Sequence, residues 1–326
     1  MKKIILVTLI FSSVLISSGC KDDAFNPKGE FKDKYILTCI LRSDTTVQTA
    51  VISRSYNTDG YDPMVNKTDP AIENADIRIW VGDSVYIMKD AETARTDTSR
   101  YNSTLKYYYA ENLKLPNNKK AEILAVLPNG RKLHAVTTIP KPVTYDDAND
   151  NEIIPPSGRN YVVASWVQLS NPNTFYYPRF SIAYFKFENG VPVRYLKRLP
   201  VRYVSSGGGK LSPVYATPTI AGSYIIEMDA INRTLQEISA GDPNKNNYVI
   251  LSLIAEIMTM DDNLSAYFSA SKLLDDGLSV KLDQTDFTNI EGGLGVFASF
   301  ANSKFVIRMD KEYIKSFGYK TKLGPE

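Results

Sequence analysis

The chain has 326 residues, 43% hydrophobic and 23% charged, a globular composition that excludes a disordered or fibrous protein. Lys and Arg number 38 against 36 Asp and Glu, and removing Lys2 and Lys3 with a leader leaves 36 against 36. A balanced body lacks the clustered basic excess that nucleic acid or an acidic membrane surface demands of a partner.

Lys2 and Lys3 form a positive n-region, and Ile4 to Ile16 form a mostly apolar stretch of 13 residues. That is too short for a comfortable membrane span, which takes ~20 apolar residues, and it fits the h-region of a signal peptide over residues 1–19. The stretch ends in Ser17-Ser18-Gly19-Cys20, which resembles the lipobox of bacterial lipoproteins, with Ser17 where Leu is usual. Lipidation of Cys20 by two or three acyl chains, each buried methylene contributing ~0.8 kcal/mol, would hold the body on a membrane for good. Residues 20–32 then read as a lipidated tether, reaching ~20 Å as a coil. Its Lys21-Asp22-Asp23 cluster resembles the export signal that sends Bacteroidota lipoproteins to the outer face of the outer membrane. With Cys20 consumed, Cys39 has no disulfide partner, and its place in the apolar run Tyr35–Leu41 predicts a buried thiol.

The rest reads as strands rich in Tyr, Val, Ile and Thr, bounded by Gly, Pro, Asn and Asp. In the first half these are Tyr35–Leu41, Val47–Arg54, Asp76–Val81, Ser84–Lys89, Lys106–Ala110, Glu122–Leu127 and Lys132–Ile139. Gly82-Asp83 and Asn129-Gly130 supply hairpin turns. Seven strands with period-2 patterning predict an immunoglobulin-like or transthyretin-like β-sandwich over 33–143. The Pro-studded, polar stretch 144–160 reads as a linker. A second β-rich domain with two short helices is expected over 161–326, with strands Tyr161–Leu169, Tyr177–Phe187, Arg194–Val204, Ser223–Met228 and Tyr248–Met258. In the last of these Val249, Leu251, Leu253, Ala255 and Ile257 share a face, as in a central strand. Asp229 and Asp262 are expected to cap the helices, with Gly241 and Gly277 ending them. Leu294–Ala298 and Lys304–Met309 are expected to close the sheet. The class is therefore mainly β.

The string Asn289-Ile290-Glu291-Gly292-Gly293-Leu294-Gly295-Val296-Phe297 resembles the C-terminal signature of a Bacteroidota lipoprotein family catalogued as domain of unknown function 4249. Cys20, the strand Ala75-Asp76-Ile77-Arg78-Ile79, the Pro-rich joint and the helix carrying Tyr267 support the resemblance in order along the chain. It implies an outer-membrane lipoprotein, often encoded near TonB-dependent receptors, and supplies no catalytic residues. Within the signature, Gly292, Gly293 and Gly295 read as a turn and a close backbone approach feeding the last hairpin; the alternative is an anion cradle of backbone amides.

Catalytic patterns are sparse. His134, the sole histidine, lies mid-strand without a G-x-S-x-G elbow, and two cysteines cannot build a four-thiolate zinc site. Ser205-Ser206-Gly207-Gly208-Gly209-Lys210 misses the phosphate-loop spacing, and Asp147, Asn149 and Asn151 open like a calcium loop but lack its Gly and closing Glu. No metal or cofactor is expected. The 21 tyrosines, clustered at Tyr107-Tyr108-Tyr109 and Tyr176-Tyr177, suit core and half-buried sheet positions. Asp44-Thr45-Thr46 and Asp83-Ser84-Val85 resemble the short O-glycosylation motif of Bacteroidota. The expected function is a non-enzymatic, surface-exposed accessory or binding subunit beside a TonB-dependent transporter in the outer membrane. A structural or adhesive β-sandwich module and a hydrolase using two carboxylates on glycans are the alternatives.

Overall fold

The structure, a computed structural model, describes residues 33–56, 62, 65–146, 152–205, 209–272 and 287–323. The leader, Cys20, Lys21, Asp22 and Asp23 lie outside these residues, as do Asp147, Asn149, Asn151 and Gly277.

The first half contributes β1 (Tyr35–Arg42), β2 (Gln48–Arg54), β3 (Asp76–Val81), β4 (Ser84–Ile87), β5 (Lys89–Thr93), β6 (Leu105–Ala110), β7 (Lys120–Val126) and β8 (Lys132–Thr138). Then come β9 (Ile153–Ile154), β10 (Tyr161–Ser165), β11 (Tyr176–Glu188), β12 (Val191–Leu199), β13 (Arg202–Ser205), β14 (Leu211–Val214) and β15 (Ser223–Glu227). Helix α1 (Met228–Ile238), a 3-10 turn (Lys245–Asn247), β16 (Tyr248–Met260), α2 (Asp262–Lys272), β17 (Leu294–Met309) and α3 (Lys311–Ser316) follow.

A large sheet runs β12-β11-β16-β17-β1-β2-β6-β5, with β9 beside the end of β17, and a smaller one runs β4-β3-β7-β8. Period-2 alternation on both sheets sends every second side chain inward. Leu37, Cys39, Leu41 and Ile52 of the large sheet meet Ile77, Ile79, Ile123 and Leu133 of the small one in a single buried core. This is the sandwich, each buried aliphatic contributing roughly 1.5–3 kcal/mol. Tyr108 points into it and its hydroxyl donates to Ile72 O (2.7 Å), while Tyr107 and Tyr109 fall on the other face. Burial pushes the Cys39 thiol up to about 12, as befits an inert core residue. In the second half, α1 and the β10–β15 pair cover the large sheet, packing Ile231, Leu235 and Ile226 on Phe180, Leu253 and Ile307. No helix among the described residues is long and apolar enough to cross a membrane.

The structure differs from the expectations at several points. The two expected closing strands are one, β17, and it joins both halves. Leu294–Phe300 pairs parallel with β1, and Phe300–Ile307 pairs antiparallel with β16. The polar residues that suggested a break are satisfied from the side: Ser303 Oγ donates to Val143 O (2.8 Å), and Ser299 is held by Asp261. The expected strand Ser84–Lys89 splits at the buried Met88, where the chain passes from the small sheet to the large one. Pro200 likewise separates β12 from β13, since proline lacks the amide a ladder needs. A bulge between Ala183 and Tyr184 skips Leu251, so Ile250 and Tyr248 share the buried face with Leu253 and Ala255. Helix α1 starts one residue before Asp229, without a side-chain cap, and Asp229 instead pairs with Arg233 at 2.7 Å.

Candidate functional site

The family-like string lies along the open edge of β8, the last strand of the small sheet. Residues on that edge present backbone groups with no neighbouring strand, and an unpaired edge must be covered. Here Glu291 does so, forming an antiparallel bridge in which His134 N donates to Glu291 O (3.1 Å) and Glu291 N to His134 O (2.8 Å). Asn289 then closes a ring with the start of β17: its Nδ2 donates to Phe297 O (2.7 Å) and its Oδ1 accepts from Phe297 N (2.9 Å). Phe297 itself is fully buried in the sandwich core.

The glycines serve close backbone approach. A Cβ on Gly293 would stand 2.6 Å from Tyr35 O; one on Gly292 would meet Lys132 O, and one on Gly295 would meet Leu37 O, closer still. Gly292 and Gly295 also have φ of +82° and +112°, conformations glycine adopts without penalty. With backbone carbonyls where an anion would sit, the anion-cradle alternative is replaced by a structural reading.

Three residues further along β8, at Thr137, lies a second attachment. Asp261, at the corner between β16 and α2, is 5% exposed. Its Oδ1 accepts from Leu264 N (2.7 Å), and its Oδ2 accepts from Ser299 N (2.8 Å), Ser299 Oγ (3.1 Å) and the hydroxyl of Thr137 on β8. Asp261, rather than the expected Asp262, thus caps α2. Burial pushes its carboxyl up to about 6, against the pull of those donors. Asn263 adds hydrogen bonds to Val136 O (3.0 Å) and Thr137 Oγ1 (3.2 Å).

Beside this corner opens a cleft of about 640 Å³ between the two halves, its walls including Thr138, Lys141, Gln168, Asn171, Asp262 and Asn263. Polar and apolar groups share the wall about equally, the polar ones being amides, hydroxyls, carboxylates and Lys141. Gln168 Nε2 donates to Ile220 O (2.6 Å) and Asn171 Nδ2 to Asp262 Oδ1 (2.7 Å), which fixes the rotamers facing the opening. Such a surface suits binding through hydrogen bonds. The buried carboxyl beneath is committed to structural donors on both oxygens. Among the described residues, no group of three or more His, Cys, Asp or Glu is placed to hold a metal ion.

His134 faces carboxylates on both sides: Nδ1 lies 3.1 Å from Glu291 Oε2 and Nε2 lies 3.0 Å from Glu122 Oε1. Partial burial lowers its pKa, but the hydrogen bonds to the two glutamates outweigh this, and the net shift is upward. Ser205 and Leu211 face each other across the β13–β14 hairpin, while Ser206–Gly208 lie outside the described residues. Sequence reasoning singled out the signature but missed Asp261, Thr137 and Asn263. The signal for them was the Asp-Asp-Asn run between a long apolar strand and a helix, where either aspartate can cap.

Fold and site together define a mainly β protein in which one signature string seals the edge of a sandwich and threads the sheet into a second, helix-covered half. The chain belongs to the family described as Domain of unknown function (DUF4249), whose model matches residues 22–305. No curated protein matches it.

Proposed function

We propose that this protein is a surface-exposed, outer-membrane lipoprotein of the Bacteroidota type, acting without catalysis as a binding or accessory subunit beside a TonB-dependent transporter. The observation that carries the reading is Cys20 behind Ser17-Ser18-Gly19 and ahead of a charged tether. The geometry of the body supports it. Asp33, the first described residue, has a carbonyl that accepts from Arg131 (3.4 Å), and Tyr35 OH accepts from Asn129 Nδ2 (2.7 Å). That is the β7–β8 turn. The cleft opens at the opposite end of β8, six residues on, or about 20 Å away at strand rise. The cleft thus lies at the end of β8 remote from Asp33.

Metabolic labelling with an alkyne fatty acid tests the anchor. The wild-type chain is expected to take the label and sediment with membranes, and Cys20→Ala to lose both properties. A Cys20→Ala protein that still sediments would refute the anchor. Detergent pull-down of the anchored chain is expected to recover a receptor barrel. A second reading, a structural or adhesive spacer, is favoured by the continuous sheet that makes one body of both halves; deletion would then alter attachment and leave nutrient uptake unchanged.

A further inference from the structure

We propose that His134, Glu122 and Glu291 form a proton-operated clasp, which holds the family signature against the edge of β8 while the imidazole carries two protons and loosens it when one is lost.

A carboxylate at neutral pH only accepts hydrogen bonds, and a neutral imidazole has a single N–H. Both ring nitrogens of His134 lie within hydrogen-bond distance of carboxylate oxygens, one from β7 and one from the signature string. The closed arrangement is satisfied only by the doubly protonated ring. Loss of one proton leaves a nitrogen lone pair against a carboxylate oxygen, so one contact must open. Glu122 stands on a strand paired on both sides, between β3 and β8, whereas Glu291 is 80% exposed at its side chain and tied to β8 by one backbone bridge. Glu291 is the arm that leaves. The other charges on this face include Lys132, two residues back on β8, Lys120, two residues before Glu122 on β7, and Arg78 on β3, which lies across Leu124 and is held by Asp76 at 2.8 Å. None of these replaces the missing proton between His134 and Glu291.

The sign follows from linkage. A raised histidine pKa adds stability below the ordinary value of about 6.5, and that contribution disappears as pH rises through the folded-state pKa. Because one proton is involved, clasp opening rises by at most about tenfold per pH unit between the ordinary value of about 6.5 and the raised folded-state pKa, and it levels off above that.

His134 is the only histidine in the chain, so its ring resonances report the clasp without assignment ambiguity. An NMR titration of the full chain is expected to place its pKa above 6.5, and Glu291→Gln and Glu122→Gln are each expected to lower it. Amide exchange of His134 and Glu291 gives the second readout. In His134→Lys, a permanent cation, protection is expected to follow ordinary base catalysis. Wild-type protection is expected to fall further, by up to an extra tenfold per pH unit between about 6.5 and the ring's pKa, and to run parallel again above it. A ring titrating at or below 6.5, or wild-type exchange parallel to His134→Lys across pH 6–9, would overturn the proposal.

Discussion

Two attachments hold the same edge of β8, and they are built from opposite materials. Around Asp261 the contact is dry: a carboxyl at 5% exposure takes donors from β8, β17 and α2. Around His134 it is wet, with glutamate side chains half to four-fifths exposed. Buried polar groups are costly to orphan, whereas exposed ion pairs contribute ~0–1 kcal/mol and respond to salt and pH. The dry attachment therefore fixes the geometry, and the wet one is free to be adjusted. Both lie within one covalent stretch, residues 261–299, so the comparison can be broken from either end.

The largest effect is expected on β17, between Glu291 of one attachment and Ser299 of the other. Gly295 at φ +112° sits against Leu37 O, and any side chain there must push β17 off β1. Gly295→Ala is expected to cost about 4 kcal/mol or more, or to abolish folding. Gly82→Ala, at a turn glycine with open space around it, is expected to cost only ~1 kcal/mol. Chemical denaturation of the two variants side by side measures the contrast; equal losses would show that close approach at β1 is not what Gly295 provides.

Next comes the dry attachment. Asp261→Ala leaves Ser299 N, Leu264 N and the Thr137 hydroxyl without their acceptor, at an expected cost of ~2–4 kcal/mol. The same residue sets a pH dependence. Its folded pKa of about 6 lies above the ordinary ~3.9 of an unfolded aspartate, so between those values the native state binds more protons. Stability from this group is full below about pH 4 and is lost as pH rises through 6. Thermal unfolding in steps from pH 4 to 7 is expected to show that loss in the wild type and not in Asp261→Ala. Asn289→Ala, which removes one reciprocal pair with Phe297, is expected to cost ~1–2 kcal/mol in the same assay.

Much of this was legible in the sequence, and the illegible part has a common cause. Strand identity follows from alternation, so Asp76–Val81, Lys132–Thr138 and the Asn129-Gly130 turn fall where the pattern puts them. The two sheets of the sandwich follow from that. Partners distant in sequence do not: β17 lies beside β1 more than 250 residues away, and nothing local to Leu294–Phe300 says so. The glycine string was legible as a close approach, but the carbonyls of Tyr35 and Leu37 that it approaches were not. Asp261 and Asp262 are indistinguishable as caps until the direction in which β16 leaves the sheet is known. Strand splitting at Met88 and Pro200 was read as continuity because apolar residues run across both breaks.

The smallest expected change tests the wet side. Glu291→Gln keeps the backbone bridge to His134, since that bridge uses only main-chain atoms at 3.1 and 2.8 Å. Above the folded-state pKa of the ring, where its second proton is lost, the variant and the wild type are expected to unfold within experimental error of one another. At pH 5.5 the wild type gains the charged contact that glutamine cannot make, and it is expected to be the more stable by up to ~1 kcal/mol, a gap that shrinks in 1 M salt. The dry attachment also loses stability as pH rises, but it does not share the salt response, since Asp261 is shielded from solvent and its contribution is set by burial. A Glu291→Gln deficit that is as large above the ring's pKa as at pH 5.5 would mean that Glu291 contributes packing rather than charge, and the distinction between the two attachments would then lie in position along β8 and not in solvent.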